Sequence, residues 1–154
     1  MADAVRTAYL AAVRLLARRE LSEAQVRQRL ARRHARDAVD GAIQQLRDER
    51  AIDDVRAAQA IARTQAAGKK RGELRVRRQI EQAGIAPDTA RQVARDVFTG
   101  VDVDELIEAA LQKRLRGRAD PLDDAERRRL YRYLIGQGFE SGRVLSALGR
   151  RKAR

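Results

Sequence analysis

Val76-Arg77-Arg78-Gln79-Ile80-Glu81-Gln82-Ala83-Gly84-Ile85 carries two apolar residues four apart, then a glycine, then a third apolar residue. The same four positions hold Val26, Leu30, His34 and Ala35 fifty residues earlier, and Leu130, Leu134, Gly138 and Phe139 fifty-four residues later. Apolar residues four apart share one face of a helix, and a glycine just past them marks a helix end. Behind each turn a second helical stripe follows: Val39, Ala42 and Ile43, then Ala90, Val93 and Ala94, then Val144, Ala147 and Leu148. The first copy is one residue shorter at the turn. Ahead of each pair lies a longer helical stretch, so the unit is three helices used three times.

This spacing predicts repeats over 1–52 (helices 4–19, 23–33 and 37–50), 53–101 (54–66, 73–83 and 87–98) and 102–154 (103–116, 124–136 and 141–150, with a basic tail). A triplet of this size buries little surface alone, whereas stacked triplets bury their faces against neighbours. The expectation is an all-α fold, an elongated, curved tandem array of three three-helix repeats, acting as a monomer. Val5, Tyr9, Ala12, Val13 and Leu16 are expected to form the apolar stripe of the first helix. Asp53 is expected to cap a helix running through about Ala66, with Gly68 just past its end, and Pro87 suits a first helical position. Asp102 with Glu105, and Asp123 with Glu126, have capping-box spacing.

Composition narrows the chemistry. The 154 residues include no cysteine and one histidine, which excludes disulfides, thiol chemistry, iron–sulfur clusters and a histidine-built metal site. The only aromatics are Tyr9, Phe98, Tyr131, Tyr133 and Phe139, so the core must be thin and aliphatic. No apolar run approaches membrane-spanning length, and Asp3, Arg6 and Arg14 interrupt any leader-like start. The chain reads as cytoplasmic.

The net charge is +12, from 34 basic and 22 acidic residues. An excess of this size implies an anionic partner. It is distributed unevenly: net +3 over 1–62, +5 over 63–82, −4 over 83–112 and +8 over 113–154. Two basic segments therefore flank an acidic one.

Three stretches carry a family resemblance. Ala8-Tyr9 and Leu15-Leu16-Ala17-Arg18-Arg19-Glu20-Leu21-Ser22, followed by Val26 and Leu30, resemble the start of the RecX family of RecA regulators. Ile52-Asp53-Asp54, then Lys69-Lys70-Arg71-Gly72 and Val76 to Ile85, is similar to that family's middle. Arg127-Arg128-Arg129-Leu130 through Leu134-Ile135-Gly136-Gln137-Gly138-Phe139 resembles its third repeat. The likeness covers about residues 5–150 and lies in the order and spacing of the motifs. Three positions depart from the pattern: Ala57 or Ala58 replaces an aromatic, Gly72-Glu73 replaces Gly-Pro, and His34 replaces a glycine. The resemblance implies a non-enzymatic regulator that binds RecA and the RecA–single-stranded DNA filament. It would modulate the filament's recombinase, ATPase and coprotease activities in DNA repair. A RecA-independent nucleic-acid-binding protein is the alternative.

The candidate contact residues are Lys69, Lys70, Arg71, Arg75, Arg77 and Arg78, with Arg127, Arg128 and Arg132 from a second basic set that also includes Arg114, Arg116, Arg118 and Arg129. On a helix, Arg71, Arg75 and Arg78 would share a face away from Val76 and Ile80. Arg150, Arg151, Lys152 and Arg154 are expected to be a disordered tail. His34 reads as a turn residue, because no other metal donors accompany it. Asp53-Asp54 and Asp123-Asp124 read as caps, and glycines 68 and 72 lack the Gly-Lys-Ser/Thr ending of a phosphate loop. No catalytic residue, metal or cofactor is expected. Tyr131 and Tyr133, two apart, cannot face the same way on a helix, so one is expected to pack and the other to be exposed.

Overall fold

A computed structural model describes residues 1–117 and 122–151. The described residues form nine α-helices and no strand. They are α1 (Ala2–Leu16), α2 (Glu23–Leu30), α3 (Arg36–Asp48), α4 (Asp54–Arg63), α5 (Glu73–Gln82), α6 (Pro87–Phe98), α7 (Val103–Leu115), α8 (Asp124–Gly136) and α9 (Ser141–Gly149). The chain divides into two compact units, Met1–Ile61 with Gln79–Val93, and Ala62–Arg78 with Ala94–Arg154.

In the first unit, α1 and α3 pack through small residues. Ala8, Ala12, Ala38 and Ala42 are all buried. A side chain at Gly41 would lie 2.9 Å from a methyl of Val5, so the glycine permits the close approach. Val13, expected on the buried stripe, is exposed. A stripe built on alanines lets two helix backbones approach, which turns the bulkier valine outward. Leu21, Val26, Leu30, Val39, Ile43 and Leu46 complete this core.

Helix starts follow local chemistry. The Ser22 hydroxyl accepts from the Gln25 N–H at 3.1 Å while the Gln25 side chain accepts from the Ser22 N–H, closing a capping box on α2. Asp53 caps α4 through the Arg56 N–H at 3.0 Å. Its neighbour Asp54 turns away and accepts from the Glu23 N–H at 2.9 Å, so adjacent carboxylates cap two different helices.

Glu23 also gathers two arginines. Arg47 donates to both of its oxygens at 2.7 Å, and Arg27 donates at 3.1 Å. Burial pushes the Glu23 carboxyl up, but the hydrogen bonds and charges of Arg47 and Arg27 outweigh it and hold the group below its usual range. An acid held down in the fold contributes stability above its unfolded value of about 4.3, and that contribution is lost as pH falls through the folded value. Glu23→Gln should therefore lower the urea midpoint at neutral pH, with the gap to the parent chain closing as the pH falls through the carboxylate range. An equal gap above and below that range would show that the carboxylate charge is not what matters.

In the second unit, Ile107, Leu111, Leu115, Leu122, Leu130, Leu134, Phe139, Val144, Ala147 and Leu148 form one core beneath α7, α8 and α9. Asp102 caps α7 and Asp123 forms a capping box with Glu126 on α8.

Two joints between successive helix pairs share one design. In the first unit, the Ser22 hydroxyl at the start of α2 donates to the Ala83 carbonyl in the α5–α6 turn. A side chain on Gly84 of that turn would meet Ala24 at 2.4 Å. In the second unit, the Gly72 and Leu74 N–H groups at the start of α5 donate to Gln137 and Gly138 carbonyls at 2.8 and 3.2 Å. A side chain on Gly138 would meet Arg75 at 2.4 Å. Gly84 and Gly138 have φ of +78° and +94°, which glycine tolerates. His34, the matching position in the first turn, does not have a positive φ. That backbone conformation makes no demand for glycine.

Candidate binding surface

The middle basic set is shaped by the end of α4. Rather than stopping near Ala66 with Gly68 beyond it, the helix widens at Arg63 into a π-helical turn, Thr64–Gly68. The Lys69 N–H donates to the Thr64 carbonyl at 3.1 Å, and the Arg71 N–H donates to that of Gln65 at 3.0 Å. The left-handed residue that turns the chain is Lys70, with φ +54°. Lys69 and Lys70 are exposed.

Arg71 does not lie on a helix, because α5 begins at Glu73. The expected shared face of Arg71, Arg75 and Arg78 is therefore corrected. Arg71 is half-buried and donates through Nη1 to the Gln137 side-chain oxygen at 2.5 Å, while its Nε is buried with no partner among the described residues. Arg75 donates through Nη1 to the Gly136 carbonyl at 2.7 Å. Both arginines thus fasten the start of α5 to the end of α8. Arg77 is half-buried and Arg78 exposed. The side chains of Lys69, Lys70 and Arg78 form no hydrogen bond or ion pair with the described residues.

The C-terminal basic residues occupy the other end of α8. Arg127 is mostly buried. Its Nη2 donates to the Leu122 carbonyl at 3.0 Å and lies 3.6 Å from Asp124, while Nη1 is buried without a partner. Arg128 and Arg132 are exposed, one turn apart. They stand about 12 and 6 Å along the helix from Gly136, at 1.5 Å per residue. Arg127 and Arg128 therefore lie near the start of α8, and Arg132 lies nearer the end that Arg71 and Arg75 reach. The Arg114 guanidinium lies over the Tyr133 ring, 4.6 Å from its centre. The Tyr131 hydroxyl lies 3.0 Å from that of Ser141. Both tyrosines are half-buried, on different sides of the helix, so neither is the exposed partner expected. Arg150 caps α9 and Arg151 pairs with Glu108, so neither belongs to a loose tail. Arg118, Lys152 and Arg154 lie outside the described residues.

Gly136 and Gln137, which receive Arg75 and Arg71, entered the sequence reading only within a family motif, Leu148 only as part of the last helical stripe, and Leu145 not at all. Gln137 sits between two glycines in the third turn, which is the one local sign that its backbone is approached closely. Among the described residues no cluster of three or more His, Cys, Asp or Glu side chains could hold a metal ion, and no helix is long and apolar enough to cross a membrane.

Three-helix units that meet at glycine turns define a helical-repeat protein. The family profile described as "RecX, first three-helix domain" matches residues 8–46, and that of "RecX, third three-helix domain" matches residues 102–153. Regulatory protein RecX of Halorhodospira halophila is 33% identical over 147 residues, covering 94% of this chain and 86% of the relative. Regulatory protein RecX of Geobacillus kaustophilus is 32% identical over 139 residues, 90% of this chain and 51% of that longer relative. The crystal structure of RecX from Lactobacillus salivarius superposes with a TM-score of 0.72 at 19% identity, covering 97% of both chains. The chain belongs to the RecX family of regulatory proteins.

Proposed function

We propose that the chain binds RecA and the RecA–single-stranded DNA filament and restrains its recombinase, ATPase and coprotease activities, without chemistry of its own. It would act in the cytoplasm as a monomer. Membership of the RecX family supports a regulatory role, and the resemblance of the motifs implies RecA as the target. The observation that carries the contact surface is the trio Lys69, Lys70 and Arg78, exposed and without anionic partners among the described residues. Lys70 holds a left-handed conformation that costs a non-glycine residue about 1–2 kcal/mol. Glycine would relax that strain but lose the charge, so a lysine there argues for the ammonium group. Arg71 and Arg75 are engaged with Gln137 and Gly136 and are not part of this trio. Asp53, Asp54 and Asp123, which the sequence reads as caps, are engaged at helix starts, which favours a role without catalysis.

Lys70→Gly separates binding from folding. Its stability should stay within about 1 kcal/mol of the parent, because strain relief offsets added chain entropy. The triple variant Lys69→Ala, Lys70→Ala, Arg78→Ala should fold normally and bind less. If about six phosphates are neutralised, a fourfold rise in salt weakens the parent's binding to single strands about 250-fold. Loss of three contacts should reduce that to roughly 16-fold. Titrating labelled oligothymidylate with and without RecA and a slowly hydrolysed nucleotide distinguishes the two readings. Binding that rises with the filament supports RecA as partner; binding indifferent to RecA supports a plain nucleic-acid-binding protein. Parental salt dependence and parental inhibition of strand exchange in the triple variant would remove this surface from consideration.

A further inference from the structure

The face of α8 that carries Arg128 and Arg132 opens onto a groove of about 550 Å³ between α8 and α9. Its floor is apolar: Tyr131, Leu145, Leu148 and Gly149 line it beside these two arginines and the mostly buried Arg127. Leu145 is 57% exposed, the largest exposure of any apolar side chain among the described residues apart from Met1. The neighbouring acids are already committed. On α7, Asp104 pairs with Arg143 at 3.1 Å and Glu108 pairs with Arg151. Asp124 faces Arg127. Arg128 and Arg132 form no ion pair with the described residues. A leucine-floored groove with two unpaired guanidinium groups on its rim, one helical turn apart, asks for two things in its occupant. It needs apolar bulk for the floor and carboxylates about 6 Å apart for the rim.

We propose that this groove docks an acidic amphipathic segment of a partner protein, apolar side chains on Leu145 and Leu148 and carboxylates on Arg128 and Arg132. Charge selects the occupant. The chain's own basic C-terminal residues would be repelled by the rim, and a phosphate backbone would leave the leucine floor uncovered. Helix-in-groove recognition combines these two requirements, with apolar anchors for affinity and rim charges for selection and approach. This assigns the α8–α9 face to protein contact, separate from the trio Lys69, Lys70 and Arg78. It holds whatever the identity of the partner, so it does not stand or fall with RecA.

The test titrates the full chain against a labelled amphipathic peptide about four turns long, with leucines on one face and glutamates on the other. A charge-matched peptide with serines in place of the leucines and labelled oligothymidylate serve as comparisons. The leucine-bearing peptide should bind at least tenfold more tightly than the serine peptide. Leu145→Ser, and separately Arg128→Ala with Arg132→Ala, should each weaken it about tenfold while the helical circular dichroism signal is kept. The Lys69→Ala, Lys70→Ala, Arg78→Ala variant should bind the peptide like the parent, so a failure of the RecA reading leaves this result untouched. Equal binding of the two peptides would overturn the proposal. So would parental peptide binding by Leu145→Ser, or a loss confined to oligothymidylate, which would make the face a nucleic-acid surface.

Discussion

Gly138→Ala is expected to lower the thermal midpoint by about 10 °C, at the 2–4 °C per kcal/mol usual for a chain of this length. Three effects add. The φ of +94° strains a residue with a side chain by about 1–3 kcal/mol. The new methyl would lie 2.4 Å from the Arg75 backbone nitrogen and from its Cβ. Relief must come from the backbone of α5, and its withdrawal breaks the bonds from Gly72 and Leu74 to the turn carbonyls, about 1 kcal/mol each. Gly100→Ala isolates the first effect, since Gly100 has φ +76° and nothing within 4 Å of a new side chain. It should move the midpoint by less than half as much. Equal shifts in the two variants would mean that the close approach of α5 contributes nothing. Gly72→Ala tests the same joint from the other side, where the methyl would lie 2.4 Å from the Gly138 carbonyl oxygen.

Leu134→Ala should cost about 2–5 kcal/mol, the range for truncating a fully buried leucine. Leu134 is wholly inaccessible within the core formed by α7, α8 and α9. Leu145→Ala, on the neighbouring helix but exposed, should cost about 0.5 kcal/mol or less. In a urea titration the midpoint should fall for Leu134→Ala with an unchanged slope. A cost below about 1 kcal/mol would show that the surrounding side chains collapse into the vacated space, since the spread at fixed chemistry reflects such relaxation.

The features legible in the sequence are those whose causes are local. Asp53, Asp102 and the Asp123–Glu126 pair cap the helices their spacing implies, because a cap and its helix lie within four residues of one another. Pro87 begins α6 for the same reason. The glycines at 84 and 138 were legible as turns, but not as seats for helices arriving from more than fifty residues away. The basic candidates divide along the same line. That Lys69, Lys70 and Arg78 lie open follows from their short-range setting. That Arg71 and Arg75 are drawn to Gln137 and Gly136 depends on partners 66 and 61 residues distant. Helical periodicity assigned Arg71 to a face because it presumed an unbroken helix, whereas Gly72 and the π-helical turn break it. Arg151 was read as tail because its partner Glu108 lies on another helix, 43 residues back.

The two glycine joints also set what a further joint of the same kind would require. Each needs a bare turn on one side and a helix start with a free donor on the other. At the first turn the position is filled by His34, whose imidazole would occupy the space that an incoming helix start requires. At the start of α8, Asp123 and Glu126 satisfy each other's backbone donors, which leaves the N–H groups of Asp124 and Ala125 as the ones a further joint could use. A chain lengthened by duplicating a triplet ahead of the first would need a glycine at His34 before the new copy could seat in the same way.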